Sequence, residues 1–293
     1  MAEPRKFSTA VELVARVDKV PSLPKAALHI LEVLQAKSSN AASVAKALEL
    51  DPPIAARLLR LANSGAYARG SKVSGVAAAV ARVGLNETRG LVISASITEG
   101  LAVKPTAHIV SFQLHSVVCA AATSLIAAKS GVLRVTRDNP YFTSALLHDI
   151  GLLALAHFSP IALVEVVDFA VANKSPLADI ERIAMGYSHA EVGALLLQRW
   201  RLSQLEIDAC RWHHDLLVAP PSAGPVPALV HLADVLARDA LGGDTLAALV
   251  PELEPRALEV LQLAPEALPA LRQEVALAAE PARAMAAAYF VHD

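Results

Sequence analysis

Cysteine is scarce in this chain: only Cys119 and Cys210 occur in 293 residues. That number is too small for a disulfide-stapled scaffold, and both lie in apolar stretches, so they read as reduced core thiols. Aromatics are also few, at 4 % against 54 % hydrophobic residues overall. The core must therefore be built from Ala, Leu and Val. An excess of one charge is missing too. A formal net charge of −2 excludes a globally basic nucleic-acid binder, although it allows a local patch. No uninterrupted apolar run reaches the roughly 18 residues that span a bilayer. The start, "MAEPRKFSTAVELVARV", spreads charges through its length without an apolar stretch and small cleavage residues. The expectation is a soluble, cytoplasmic protein with no membrane partner. No alternating pattern demands a sheet, although "GLVISASI" could locally pass for a strand.

What is present is a succession of helical patterns. Ala and Leu favour helix, and 293 residues are enough for one large or two medium domains. A first helix is expected at 7–20, with Ser8 as cap. "VPSLPKAALHILEVL" leads into a second, whose apolar stripe includes Ala27, Ile30, Leu31 and Leu34. Another is expected from Ser43 to Asp51, where "DPP" stops it and supplies the first turn of "PPIAARLLRLANS". "GAYARGSKVSG" reads as a loop, followed by helices in "VAAAVARVG" and "NETRGLVISASITEGLA". A weak breaker, "KPT", stands at 104–106. Beyond it, helices are expected at 109–129, 139–157, 160–173, 176–185, 188–200, 203–215 and 225–240, with two or three small ones in the acidic, Ala-rich tail. These patterns predict an all-α multi-helix bundle: an N-terminal helical subdomain at 1–104, a bundle at 105–240 and a helical tail at 241–293.

After 105, the helices change character. His115 shares a stripe with Cys119, Ala122 and Ile126, so its ring should point inward. His148 and Asp149 interrupt the apolar "SALLHDIGLLAL". His189 opens "SHAEVGALLLQRW", His213 and His214 close "EIDACRWHHD", and Asp234 sits in "ALVHLADVLAR". Buried polar groups of this kind must be satisfied or must hold something. Imidazole and carboxylate suit a divalent transition metal such as Fe, Mn, Zn or Ni, and bundles build such sites from inward-facing helices. A hydrogen-bonded polar core is the alternative. His29, His108, His157, His231 and His292 have no partner at ligand spacing.

The order His, His-Asp, His, His-His, Asp is similar to the HD phosphohydrolase superfamily, especially its HD-GYP branch. The span from about 20 to 215 more closely resembles the HDOD domain, a regulatory relative. "SLPKAALHILEVL", "SVAKALELDPPIAARLLRLANSGAYARG", "VAAAVARVGLNETRGLVIS", "ALLHDIGLLAL" and "HAEVGALLLQRW" carry that likeness. It implies an all-helical fold, a bacterial signal-transduction role, and an HD pocket that serves as sensor or relic. By resemblance, His115, His148, Asp149 and Asp234 match the core ligand set, His189, His213 and His214 match the added histidines, and Asp149 would bridge two metals. Such metals would activate water and neutralise phosphate charge. The chain departs from the active pattern in three places. "DLLVAPPSAGPVP" replaces a Gly-Tyr-Pro loop, Leu152 stands where a lysine often follows, and Ser111 stands one turn before His115.

Arg57, Arg60, Arg69, Lys72, Arg82 and Arg89 are opposed only by Glu87 between 57 and 89. Arg57, Arg60, Arg69 and Lys72 are the candidate contacts for an anionic ligand. Three functions follow. The leading one is regulation through a signalling protein partner or a small nucleotide. The second is metal-dependent phosphohydrolysis, and the third is nucleic-acid binding through the basic patch, which has no aromatic ladder nearby.

Overall fold

The computed structural model describes residues 23–65, 67, 71–103, 106–134, 141–242, 249 and 251–290. The helix expected at 7–20 lies outside them. Among the described residues the secondary structure is helical, with no strand, and "GLVISASI" is helix.

The first helices are α1 (Lys25–Gln35), α2 (Ala41–Leu48), α3 (Pro52–Ala62), α4 (Val76–Val83) and α5 (Leu85–Gly100). In α1, Ala27, Ile30 and Leu31 are the buried stripe. The α2 helix begins earlier than the sequence suggests. Asn40 accepts from the backbone of Ala42 and Ser43, and the Ser43 hydroxyl accepts from the Asn40 N–H, so Ser43 closes a capping box and is not the cap. Asp51 caps α3 through the Ile54 N–H at 3.2 Å, with Pro52 in the first turn where its missing donor costs nothing. Gly84 joins α4 to α5 at φ 105°, a conformation that favours glycine.

The remaining helices are α6 (Ala107–Lys129), α7 (Phe142–Leu146), α8 (Ile150–Phe158), α9 (Pro160–Asn173), α10 (Leu177–Met185), α11 (His189–Arg199), α12 (Gln204–Trp212), α13 (Val226–Leu241), α14 (Arg256–Leu261) and α15 (Leu268–Phe290). The α6 helix is long and apolar enough to cross a membrane. However, 72 % of its apolar window is buried inside the protein, packed against α7, α13 and α15. Where the sequence pattern runs on as one helix from 139 to 157, the structure has two, α7 and α8. Leu147 and Asp149, at φ/ψ −102°/0° and −99°/16°, lie in the bridge region and turn the chain between them.

The tail also differs from a set of small helices. Only α14 is short. The 23-residue α15 continues through Pro281, because one face carrying Leu271, Val275, Ala279, Ala282, Met285 and Tyr289 is buried. Those residues pack on α6, α13 and α3, and that burial outweighs the backbone bond lost at the proline. Arg89 of α5 and the buried Glu206 of α12 pair at 2.7 Å, joining the first helices to the later bundle.

Candidate metal centre

Two glycines bring the site together. A Cβ on Gly151 of α8 would fall on the His189 carbonyl oxygen and lie 2.8 Å from the Gly193 nitrogen, and a Cβ on Gly193 would run into the Cys210 thiol. The α8 and α11 helices therefore touch backbone to backbone, which places His189, at the first turn of α11, beside Asp149, just before α8. Ser188 and Glu191 form the capping box that starts α11 at that residue. Cys210 donates to the His148 carbonyl at 3.1 Å and secures α12 to the turn. Both cysteines are buried free thiols.

All seven residues singled out in the bundle face one pocket. His115, His148, Asp149, His189, His213 and Asp234 are buried, and His214 is partly so. At one end, Asp149 Oδ1 lies 3.2 Å from His189 Nε2 and 3.5 Å from His213 Nε2, while His189 Nε2 and His214 Nε2 are 3.1 Å apart. At the other, Asp149 Oδ2 is 3.2 Å from His148 Nε2, and His115 Nε2 is 2.8 Å from Asp234 Oδ1. His148 and Asp149 stand in the turn between two helices, not on a helix face.

Three further residues complete the pocket. Arg238, buried and one turn after Asp234, donates to Asp234 Oδ1 through Nε at 2.8 Å and to Asp149 Oδ2 through Nη2 at 3.3 Å. Glu181 of α10 accepts from both the His189 Nδ1 (2.6 Å) and its backbone N–H (2.7 Å). His231 points away from the centre, its Nδ1 donating to the His213 carbonyl at 2.8 Å and its Nε2 accepting from the Glu254 N–H at 2.9 Å. The sequence did hold a signal for the first two. Glu181 shares the buried stripe of Leu177 and Met185, and Arg238 follows Asp234 at i+4.

Charge states follow from this packing. Burial and the nearby Arg238 guanidinium push His115 down to about 4. Burial also opposes charge on His189, but Glu181 and Asp149 outweigh it and raise that ring to about 10. Despite burial, the His148 ring holds Asp149, and Arg238 holds Asp234, well below the usual carboxylate range. Burial lowers His213.

The two ends differ in their fit to a metal. At the His189 end, His213 Nε2 and Asp149 Oδ1 are buried without a hydrogen-bond partner, and the donor set is one that holds divalent transition metals. At the Asp234 end, His115 Nδ1 and Nε2, His148 Nε2 and Asp234 Oδ2 are likewise unpartnered, and His115, His148 and Asp149 form a further possible ligand group, but a guanidinium already bridges the two carboxylates.

Of the candidate anion contacts, two share one groove. Arg57 is buried and paired with Glu99 at 2.6 Å. Arg60 and Lys72 line a groove with Arg82, where Arg82 donates to the Ala62 and Ser71 carbonyls. Arg69 lies outside the described residues. Glu99 and Glu206, which pair with Arg57 and Arg89, fall outside the 57–89 segment, so its local charge count overstates the free positive charge.

The fold and the pocket define a helical-bundle protein that encloses a buried His/Asp cluster. Residues 20–216 match the HDOD domain model, and the chain belongs to the HDOD domain family. A solved HDOD domain protein with unknown function from Geobacter sulfurreducens is 25 % identical, with TM-score 0.65, covering 92 % of this chain and 97 % of that one. A protein from Shewanella amazonensis SB2B, provisionally named a phosphohydrolase, is 24 % identical with TM-score 0.72, covering 97 % and 99 %; it shares the fold. An uncharacterized protein of Treponema pallidum (strain Nichols) is 27 % identical over 240 residues, 80 % of this chain. The chain spans 45 % of the length of that relative.

Proposed function

We propose that this protein is a cytoplasmic signal-transduction regulator that acts by binding a partner protein, and that its HD pocket senses or stabilises without turning over a phosphodiester. Arg238 carries this reading. Its guanidinium neutralises Asp149 and Asp234, two of the four residues that match the core ligand set by resemblance, so it stands where phosphohydrolysis would need a metal cation. The approach to the pocket supports it as well. A cavity of about 380 Å³ reaches His189 and His214 past Asp179, Asp215, Glu252 and Glu254, and carboxylates at a mouth repel a phosphodiester. Arg182 offsets two of them, through ion pairs with Asp179 and Asp215. The same rim disfavours a small nucleotide in this pocket. The first helices to 104 and the tail from 241 flank the bundle at 105–240 and are the parts that present surfaces to a partner.

The imidazole cluster favours a second reading, a metal-dependent phosphohydrolase. The deciding experiment is an assay of the untagged protein on a chromogenic phosphodiester with added Mn²⁺ or Fe²⁺. No turnover is expected, and turnover abolished by His148→Ala would establish the enzyme instead. Nucleic-acid binding through the 57–89 segment predicts an affinity that falls steeply with salt, and none is expected even at low ionic strength.

A further inference from the structure

We infer that the pocket takes a single divalent transition-metal ion, held by Asp149, His189, His213 and His214, and that Arg238 is the built-in replacement for a second ion. The inference rests on the reading of the protein as a binding regulator and specifies what its pocket binds.

Hydrogen bonds made on the far side of each ring fix which atoms face inward. His213 Nδ1 lies 2.8 Å from the Cys210 carbonyl and His148 Nδ1 lies 2.6 Å from the Ala145 carbonyl. A carbonyl only accepts, so both rings carry their proton on Nδ1 and turn an Nε2 lone pair toward the centre. His189 Nδ1 is likewise committed to Glu181, 2.6 Å away. That carboxylate backs the ring as ligating histidines are backed in metal sites. At the centre, His189 Nε2 and the His213 lone pair converge on Asp149 Oδ1, an acceptor. The unpartnered His213 Nε2 facing Asp149 Oδ1 in a buried space calls for a positive charge between them, which a proton on His189 or a bound ion can supply.

Spacing favours a metal for that cation. Ligand atoms about 2.0 Å from a tetrahedral ion are about 3.3 Å from one another. The separations here are 3.2 Å for His189 to Asp149, 3.5 Å for His213 to Asp149 and 3.1 Å for His189 to His214. All four ligand atoms lie within 4.8 Å of each other. Three imidazoles and one carboxylate select Zn²⁺, Fe²⁺, Mn²⁺ or Ni²⁺ over Mg²⁺ or Ca²⁺. His214 borders the cavity whose rim is acidic, which offers a cation its way in.

At the other end His115 Nδ1 and Nε2, His148 Nε2 and Asp234 Oδ2 are also buried without a hydrogen-bond partner, but its carboxylates already share an internal cation. Asp234 Oδ1 and Asp149 Oδ2 both receive Arg238 N–H groups, and an ion placed there would meet a fixed positive charge.

The test is metal stoichiometry on the full chain, purified without a tag, stripped with a chelator, reloaded with Zn²⁺ or Mn²⁺ and desalted. One ion per chain is expected for the wild type and for His115→Ala, and none for His213→Ala. Glu181→Gln should weaken binding by about 10–100-fold. Arg238→Met should raise the count to two, and the Mn²⁺ electron paramagnetic resonance spectrum should change from that of an isolated ion to that of a coupled pair. Arg238→Lys, which keeps the charge, should stay at one. Two ions in the wild type, or loss of the ion in His115→Ala with retention in His213→Ala, would overturn the assignment. So would the absence of any retained ion, which would leave a proton on His189 as the cation. Assaying the same samples on the phosphodiester separates the two ideas. Turnover with one bound ion defeats the regulator reading alone, and no ion with no turnover defeats this inference alone.

Discussion

The two ends of the pocket are made of the same residue types and solve the same electrostatic problem differently. Buried polar atoms without a hydrogen-bond partner occur at both ends, but around Asp149 Oδ1 the facing groups are the ring nitrogens of His189 and His213. Around Asp234 and Asp149 Oδ2, a guanidinium supplies the positive charge from within the chain. Arg238, one turn after Asp234, makes the difference between the two ends.

The largest expected effect comes from removing the internal cation. Arg238→Met removes the guanidinium that two buried carboxylates share and should cost about 3–5 kcal/mol, read from the urea midpoint. Excess Mn²⁺ should restore part of it. A midpoint unchanged by the substitution would mean that the two ends are not different after all. Next comes the helix contact that builds the His189 end. Gly151→Ala pushes a methyl group into the backbone of α11 and should cost about 3 kcal/mol, with loss of metal retention. If metal retention survives intact, the close approach of α8 and α11 is not what places His189.

Glu181→Gln keeps an acceptor but loses the charge behind His189, for about 1–3 kcal/mol in the metal-free protein. Thermal unfolding with and without chelator measures it, and equal loss in both conditions would deny Glu181 a role specific to the metal-free state. The smallest effect is in pH. His115, lowered in the folded protein to about 4 from 6.5, contributes stability above pH 6.5 that is lost as pH falls toward 4. His189, raised to about 10, contributes stability below pH 6.5 that is lost as pH rises toward 10. The metal-free protein should therefore lose a few degrees of melting temperature on each side. His115→Gln should flatten the acid arm and His189→Gln the alkaline arm, and a shared response to either would merge the two ends into one titrating unit.

Much of the pocket was legible before any coordinates. His115, His148, Asp149, His189, His213, His214 and Asp234 stand out because polar residues in apolar helical patterns are costly unless used. Arg238 and Glu181 did not stand out, since a lone arginine or glutamate in a helix usually belongs to a solvated face. The break at Leu147–Asp149 was hidden in an apolar run that suits one helix as well as two. In the tail, the expected small helices are replaced by one long helix, because the packing of α15 carries it through Pro281.

Composition and periodicity determined by themselves that the chain is a helical bundle with an Ala/Leu/Val core, because helix propensity and the 3.6-residue stripe are local properties. The order and chemistry of the His and Asp residues further identified the HD-like resemblance. Only the tertiary structure decided which groups each carboxylate faces. That choice depends on distances between helices far apart in the chain, and in a buried, weakly screened space a shift of an ångström or two settles whether a guanidinium or an exogenous ion holds the charge.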